Sequence, residues 1–309
     1  MTTLYLCHPA SLDHAMPPGH PERADRIRVI ERVLEDERFG TLVREQAPRA
    51  DLATAALAHP EAYVAAIAEA APREGMVAID ADTVMSPGTL EAALRAVGAA
   101  VQAVDEVMTG RVGNAFAAMR PPGHHAERAR AMGFCLFNNA AVAVRHARAR
   151  YGAQRVALVD WDVHHGNGSQ DIFWGDRDVM YCSTHQMPLF PGTGAASERG
   201  DHDTIVNVPL HPGDDGTTFR EAFAHGIAPR LDAFRPDLIV ISAGFDAHWR
   251  DPLANLKLTE ADFAWATREV MAVADRHAGG RVVSLLEGGY DLEGLSRSVA
   301  AHVETLMGR

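Results

Sequence analysis

Two aspartates and a histidine in one short segment have the residue types and spacing of a metal site. Asp160, Asp162 and His164 alternate within DWDVHHGNG, and side chains two residues apart lie on the same face of an extended chain. Asp246, in the distant segment AGFDAH, is the natural remote ligand. Three protein ligands and a water molecule form the usual catalytic zinc site. The alternative is that the carboxylates cap loops and the histidine satisfies a hydrogen bond in the core.

Two further motifs carry groups that can move protons or stabilise charge. His124 and His125 are adjacent in RPPGHH, a loop stiffened by two prolines, and histidine titrates near neutral pH. Tyr290 follows two glycines in LEGGY, and its hydroxyl could stabilise an oxyanion. A bare histidine pair is more often an exposed loop feature, and the tyrosine motif is weak alone. Together, the three motifs favour a functional metal site over loop caps.

Alternating strands and helices are predicted to position these groups. The strand patterns are apolar on both faces, as in a covered parallel sheet, and the alternation predicts a doubly wound α/β fold. The polar motifs follow strand ends, where such a sheet places its ligand crevice. The predicted strands are 114–119, 156–161, 179–184, 205–208, 238–242 and 282–286, and the predicted helices are 21–34, 88–108, 139–150, 219–234, 260–277 and 292–307. The irregular stretches 120–137 and 184–204 are candidate functional loops.

Composition and charge narrow the class of protein. The chain has 309 residues, 47% of them hydrophobic, which suffices for one large α/β domain or two small ones. A formal net charge of −12 argues against a nucleic-acid partner and suits a cationic substrate, or solubility alone. Three cysteines without close spacing argue against a disulfide framework. With no apolar membrane span or secretory signal visible, we expect a cytoplasmic protein.

Six motifs that occur in order along the chain carry a family resemblance: RPPGHHA, GFCLFNNAAVA, VDWDVHHGNG, FPGTG, SAGFDAH and LEGGYDL. They resemble the histone deacetylase and acetylpolyamine amidohydrolase family from about His20 to Arg297. The resemblance implies one catalytic domain over residues 1–309, with an arginase/deacetylase-type α/β fold and a parallel sheet of about eight strands flanked by helices. It implies a zinc enzyme acting on an acylated amine such as acetyl-lysine. Relatives from bacteria are commonly oligomers, so a homo-oligomer is also allowed for.

Matched residue by residue, the resemblance implies a role for each catalytic position. The zinc ligands would be Asp162, His164 and Asp246. His125 would act as general base and later as acid, with His124 supplying electrostatic stabilisation. Asp160 would orient His124, Asn167 would contact His125, and Tyr290 would donate to the oxyanion. Class I members usually carry aspartate where this chain has Asn167, which places the chain nearer class II.

The resemblance also implies a substrate tunnel. Phe134 and Phe190 match an aromatic pair that would enclose a thin acyl-lysine chain, with Gly133 beside them; ordinary core packing is the alternative. Leu253 matches a rim position that is a gatekeeping glutamate in polyamine deacetylases, so it argues against strict polyamine specificity. Asp82 matches a rim residue that can hold substrate backbone amides.

Structural potassium is implied by the resemblance alone. The first ion would be held by the Ser183 hydroxyl and by the carbonyls of Asp160, Asp162, His164 and Thr184. The second would use main-chain oxygens around Phe173, Asp176 and Val179. Carbonyl oxygens suit a hard cation.

Three alternative functions stay open. An acetylpolyamine deacetylase would use the same chemistry on a different amine. A manganese ureohydrolase would need a second metal with more aspartate ligands, whereas the companion positions here are His165 and Asn167. A non-catalytic family member is the third alternative, although every expected catalytic position is filled.

Overall fold

Eight parallel strands form the central sheet, in a computed structural model that describes residues 2–309. The strands are β1 (Thr3–Cys7), β2 (Val43–Gln46), β3 (Val77–Ala78), β4 (Val84–Met85), β5 (Asn114–Ala117), β6 (Val156–Asp160), β7 (Val179–Gln186), β8 (Ile205–Leu210), β9 (Leu238–Ala243) and β10 (Val282–Leu286). The sheet order is β2-β1-β5-β10-β9-β6-β7-β8, and every neighbouring pair is parallel. The short strands β3 and β4 form a separate antiparallel hairpin.

Helices cover both faces of this sheet, which confirms the predicted α/β fold class. The helices are α1 (Ala10–Asp13), α2 (Asp25–Leu34), α3 (Leu52–Ala55), α4 (Glu61–Ala70), α5 (Thr89–Met108), α6 (Asn139–Tyr151), α7 (Asn167–Phe173), α8 (Gly216–Ala222), α9 (Ala228–Phe234), α10 (Glu260–His277) and α11 (Leu292–Leu306). One apolar core lies between the sheet and α5 and α6. A second lies between the opposite face and α2, α10 and α11. Within residues 2–309, no helix combines the length and apolar character needed to cross a membrane.

Two strands of the sheet were missed by the sequence patterns. β2 is an edge strand whose four side chains are all exposed, so it carries no hydrophobic signal. β1 has only five residues, and we assigned the N-terminal segment to no element. The six strands that were predicted are all present, with ends that differ by at most two residues.

The helix predicted over residues 219–234 is interrupted by a π turn at Phe223–Ile227, which joins α8 to α9. Here the N–H of Ala228 donates to the carbonyl of Phe223, one residue further back than in an α-helix. Pro229 explains the wider turn, because its ring clashes with the carbonyl four residues earlier and it has no N–H to donate.

The prediction that a helix begins at Pro21 was wrong, because Glu22 takes part in a buried ion cluster instead. Helix α2 begins at Asp25. The Glu22 carboxylate accepts two hydrogen bonds from Arg120, one of them 2.6 Å long, and one of 3.0 Å from Arg26. All three side chains are fully buried. Burial opposes ionisation, but the Arg120 guanidinium holds the pKa of Glu22 well below its usual value.

Removing Glu22 should therefore destabilise the fold strongly. We expect Glu22→Ala to lower the free energy of unfolding by about 3–5 kcal/mol, since two buried guanidinium groups lose their counter-charge. Urea denaturation measures this change. Arg23→Ala, which removes an exposed ion pair with Asp25, is the matched control and should cost about 1 kcal/mol or less. Equal losses in the two variants would contradict this account.

Candidate active site

Four neighbouring strands of the sheet bring the sequence motifs to one edge. β5 leads into the loop with His124, and β10 leads to Tyr290. β9 is followed by Asp246, and β6 by Asp162 and His164. Because β5, β10, β9 and β6 are adjacent and parallel, the segments that follow their carboxyl ends meet in one crevice.

The three expected zinc ligands converge in this crevice. His164 Nδ1 lies 3.2 Å from Asp162 Oδ1 and 3.1 Å from Asp246 Oδ2. The Val163 N–H donates to Asp246 Oδ1 over 2.8 Å and ties the two segments together. Strand β6 ends at Asp160, so the alternating pattern does not continue through the turn. The alternation predicted that Asp160 shares a face with Asp162 and His164, but Asp160 does not join the trio and contacts His124 instead.

The trio fits a divalent cation. Its ligand atoms lie within 4.8 Å of one another and all three side chains are buried. Burial and the neighbouring Asp162 carboxylate raise the pKa of Asp246 to about 7, and a cation between the carboxylates would relieve this repulsion. A Cβ atom on Gly288 would collide with both carboxylates, so the glycine keeps their cradle open. Two carboxylates and an imidazole suit zinc. Within residues 2–309, no other group of three such side chains is arranged to hold a metal.

Each tandem histidine has its own polar partner. His124 Nδ1 lies 3.0 Å from Asp160 Oδ2, and His125 Nδ1 lies 2.8 Å from Asn167 Oδ1. Asn167 Nδ2 donates to Glu127 over 2.7 Å, which fixes the orientation of the amide and leaves its oxygen toward His125. His125 therefore carries its proton on Nδ1, and its Nε2 is left as an acceptor.

The two rings differ in charge although their centroids are only 4.0 Å apart. Burial opposes a charge on His124, but the carboxylates of Asp162 and Asp160 outweigh it and hold the pKa of His124 well above its usual value. Burial, reinforced by His124 and His164, lowers the pKa of His125 well below its usual value. The pair thus combines a cationic ring with a neutral one.

A pocket of about 230 Å³ opens onto these groups. Its polar lining includes His125, His164 and Tyr290, and its aromatic lining is Phe134 and Phe190. The Phe190 ring lies edge-on to His125 with centroids 5.1 Å apart, and the Phe134 ring lies edge-on to Tyr290 at 6.0 Å. The remaining substrate residues expected from the sequence, Gly133, Leu253 and Asp82, also line the pocket. Leu189 lines it too and was missed by the sequence analysis.

Comparison with known proteins agrees with this geometry. A family model described as the histone deacetylase domain matches residues 20–306. The chain belongs to the histone deacetylase family. A probable deacetylase of Archaeoglobus fulgidus is 39% identical, over 95% of this chain and 83% of the relative. A mouse (Mus musculus) protein named polyamine deacetylase HDAC10 is 43% identical, over 72% of this chain and 34% of the relative. The solved structure of an HDA15 HD domain superposes with a TM-score of 0.94 at 37% identity, covering all of this chain and 88% of that domain.

Membership in the histone deacetylase family supports deacetylation of an amide as the activity.

Two buried carboxylates that support this deacetylase site were missed as functional residues. Glu287 Oε2 accepts the N–H groups of Gly123 and His124, at 2.7 and 3.1 Å, and so fixes the loop of the tandem histidines. Asp251 Oδ2 accepts the N–H of Tyr290 over 2.7 Å. Burial raises the pKa of Glu287 to about 7 and that of Asp251 to about 6. Glu287 could have been recognised from the sequence, because a charged residue directly after a buried strand needs a partner. No comparable sequence pattern marks Asp251.

Residues matched to the first potassium ion come from the adjacent strands β6 and β7 and from the turn after β6. Asp160 is paired with Ser183 in the register of β6 and β7. The carbonyls of Asp162 and His164 accept no hydrogen bond from residues 2–309, and the Ser183 hydroxyl is 2.8 Å from His185 Nδ1. The residues expected to hold the second ion lie at the C-terminal end of α7 and in the segment after it: Phe173, Asp176 and Val179.

The partner of His125 yields a testable pH dependence. His125 can accept a proton only when neutral, so activity should be present above its pKa and lost as the pH falls through it. In the double variant Asn167→Asp with Glu127→Gln, the glutamine amide replaces the carboxylate that Asn167 faces at 2.7 Å, so the new carboxylate at position 167 stays charged beside Nδ1, favours the charged ring and raises the pKa of His125. We therefore expect the acidic limb of the kcat/KM profile to move to higher pH, with little change on the plateau. A limb that stays in place would contradict the proposed contact.

Proposed function

We propose that the protein is a zinc-dependent deacetylase that removes an acetyl or similar acyl group from acylated amines such as acetyl-lysine, and that the whole chain acts as one catalytic domain. One observation carries the proposal: His125, His164 and Tyr290 line the same pocket as Phe134 and Phe190. The proposed metal ligand, the proposed base and the proposed oxyanion donor thus line one pocket together with two aromatic side chains.

The trio of Asp162, His164 and Asp246 would hold the zinc ion. Zinc bound there supplies a Lewis acid for the carbonyl oxygen and lowers the pKa of a water molecule. The remaining chemistry belongs to side chains that lie around the pocket.

His125 is the proposed general base. Its free Nε2 would take the proton of the attacking water, and the same nitrogen would then return a proton to the departing amine. His124, held in its charged form by the carboxylates of Asp162 and Asp160, would stabilise negative charge that develops beside it.

Tyr290 is the proposed donor to the oxyanion. Burial, followed by Asp246, raises the pKa of Tyr290 well above its usual value, so the phenol keeps its proton. The Arg26 guanidinium lies 5.0 Å from the ring centroid, and the Asp251 carboxylate holds the backbone N–H. The first contact supports the ring, and the second supports the backbone that carries it.

The pocket favours a slender acyl chain on an extended amine. Phe134 and Phe190 would enclose an aliphatic chain, and the apolar Leu253 offers no counter-charge to a second ammonium group. Asp82 accepts the N–H of Gly133 over 3.3 Å, so part of its hydrogen-bonding capacity is used in holding the pocket wall. Acetyl-lysine is therefore our first substrate, and an acetylpolyamine, which the name of the mouse relative suggests, is the second.

Substrate panels separate these two candidates. We expect higher kcat/KM for acetyl-lysine peptides than for acetylpolyamines, with longer acyl-lysines as a third arm. Preference for acetylpolyamines would favour the second candidate. Failure on every arm, by protein with full zinc content, would contradict the deacetylase proposal.

A two-metal ureohydrolase is disfavoured by the companion residues. His165 is hydrogen-bonded to Thr193 and Gln170, at 2.8 and 3.1 Å. Asn167 is engaged by His125 and Glu127. Neither side chain is free to bind a second ion.

Potassium is proposed as the structural cation. The carbonyls of the buried residues Asp162 and His164 receive no hydrogen bond from residues 2–309, which supports the first site. Support for the second site is the family resemblance. The carbonyls of Phe173 and Asp176 each accept one hydrogen bond and keep a second lone pair.

A further inference from the structure

We propose that Glu198 is a positioning residue that fixes one wall of the substrate pocket and thereby sets selectivity for the size of the acyl group. The inference rests on the proposed function. It concerns the tunnel loop, defined as residues 187–204 between β7 and β8, which carries Leu189 and Phe190.

The Glu198 carboxylate holds the backbone of the second half of the tunnel loop. Its Oε2 accepts the N–H of Gly194 over 3.1 Å, and its Oε1 accepts the N–H of Ala195 over 3.2 Å. The N–H of Glu198 donates to the carbonyl of Ala195 over 2.8 Å. One side chain thus satisfies two backbone donors that have no partner in a helix or strand.

The same carboxylate ties the loop to the buried floor of the domain. Gln170, on α7, donates from Nε2 to Glu198 Oε2 over 2.6 Å. The other end of the Gln170 amide, Oε1, lies 2.7 Å from Asn207 Nδ2 and 3.1 Å from His165 Nε2. Gln170 is only 7% exposed, so this anchor is rigid. Helix α7 begins at Asn167, the partner of His125, and the loop and the proposed base therefore share one support.

Phe190 depends on this anchoring because packing alone does not hold it. Its side chain is 41% exposed, although its ring contacts His125 and His164 at centroid distances of 5.1 and 6.3 Å. Two more hydrogen bonds fix the chain after Phe190: His165 Nδ1 with the Thr193 hydroxyl at 2.8 Å, and His185 Nε2 with the Gly194 carbonyl at 2.9 Å.

Among the residues that hold the tunnel loop, Glu198 belongs to the loop itself and lies outside the proposed catalytic site. Its contacts are to the loop backbone, Gln170 and Asn207, and it does not line the pocket. Losing it should let the wall at Phe190 move outward. A looser wall weakens the grip on a thin chain and admits bulkier ones, while the reacting groups stay in place.

The test compares Glu198→Ala with wild-type zinc-loaded protein on an acetyl-lysine peptide and on bulkier acyl-lysine peptides. We expect KM for the acetyl peptide to rise on the order of tenfold, since buried donors lose their acceptor, with kcat little changed. The preference for acetyl over bulkier groups should fall by a similar factor. Glu198→Gln keeps one acceptor oxygen, so its KM and acyl preference should lie between those of wild type and Glu198→Ala. Glu69→Ala, an exposed side chain with no described partner, is the control and should match wild type.

Hydrogen exchange supplies a readout that does not need turnover. In Glu198→Ala, a peptide covering residues 189–198 should exchange faster, while the strands of the sheet keep their protection. Uniform acceleration across the chain would mean that Glu198 only stabilises the fold and would overturn the proposal. So would unchanged KM and acyl preference in an active variant. Failure of wild-type protein to hydrolyse any acyl-lysine would instead refute the proposed function, and with it the selectivity role.

Discussion

Replacing Tyr290 by phenylalanine should lower kcat by about 10²–10³-fold, the loss expected when one donor to an oxyanion is removed. The substitution deletes only the hydroxyl. The ring keeps its edge-on contact with Phe134 and its contact with the Arg26 guanidinium. The backbone N–H keeps its hydrogen bond to Asp251. KM and zinc content should therefore change little, because the hydroxyl acts on charge that develops only in the transition state.

Steady-state kinetics on an acetyl-lysine peptide, with metal analysis of the same sample, measure this effect. Near-normal turnover in Tyr290→Phe would remove the phenol from its proposed role. A fall in zinc content or in the free energy of unfolding would assign the loss to structure instead.

His125→Ala should have the other large effect, a loss of about 10²–10⁴-fold in kcat, which is the usual contribution of a positioned general base. The base role rests on two observations. Asn167 holds the Nδ1 proton, and burial with two histidine neighbours keeps the pKa of His125 low, so the ring is neutral near pH 7. Among residues 2–309, the only other histidine that lines this pocket is His164, the proposed metal ligand.

The pH profile distinguishes loss of a base from loss of structure. In wild-type protein, activity should fall as the pH drops through the pKa of His125. The residual activity of His125→Ala should lack that acidic limb. His211→Ala, at a side chain that is 85% exposed, is the control and should retain wild-type kinetics. Full activity in His125→Ala would contradict the assignment.

The core of the fold could be predicted from sequence because burial leaves a pattern. Strands such as β6 and β9 are buried at every position and read as continuous apolar runs. The edge strand β2 has no apolar face, and the start of α2 was misplaced because Pro21 and Glu22 have the composition of a helix start. Local composition does not reveal that Glu22 pairs with Arg120, 98 residues away.

The residues of the candidate site also differ in how far the sequence reveals them. His124, His125 and Asp162 lie in short motifs whose spacing is visible in the chain. Glu287 and Asp251 act through hydrogen bonds to the backbone of distant segments, and any residue type can supply a backbone N–H. The sequence therefore marks the groups that would do chemistry more clearly than the groups that hold them in place.

The direct test of the central claim is a zinc titration of metal-stripped protein, followed by turnover of an acetyl-lysine peptide. The trio of Asp162, His164 and Asp246 predicts no turnover without metal and a linear rise that ends at one zinc per chain. Asp246→Asn should bind zinc weakly and stay inactive over the same range. Full turnover by the stripped protein, or activity that requires two manganese ions per chain, would contradict the assignment of a single-zinc deacetylase.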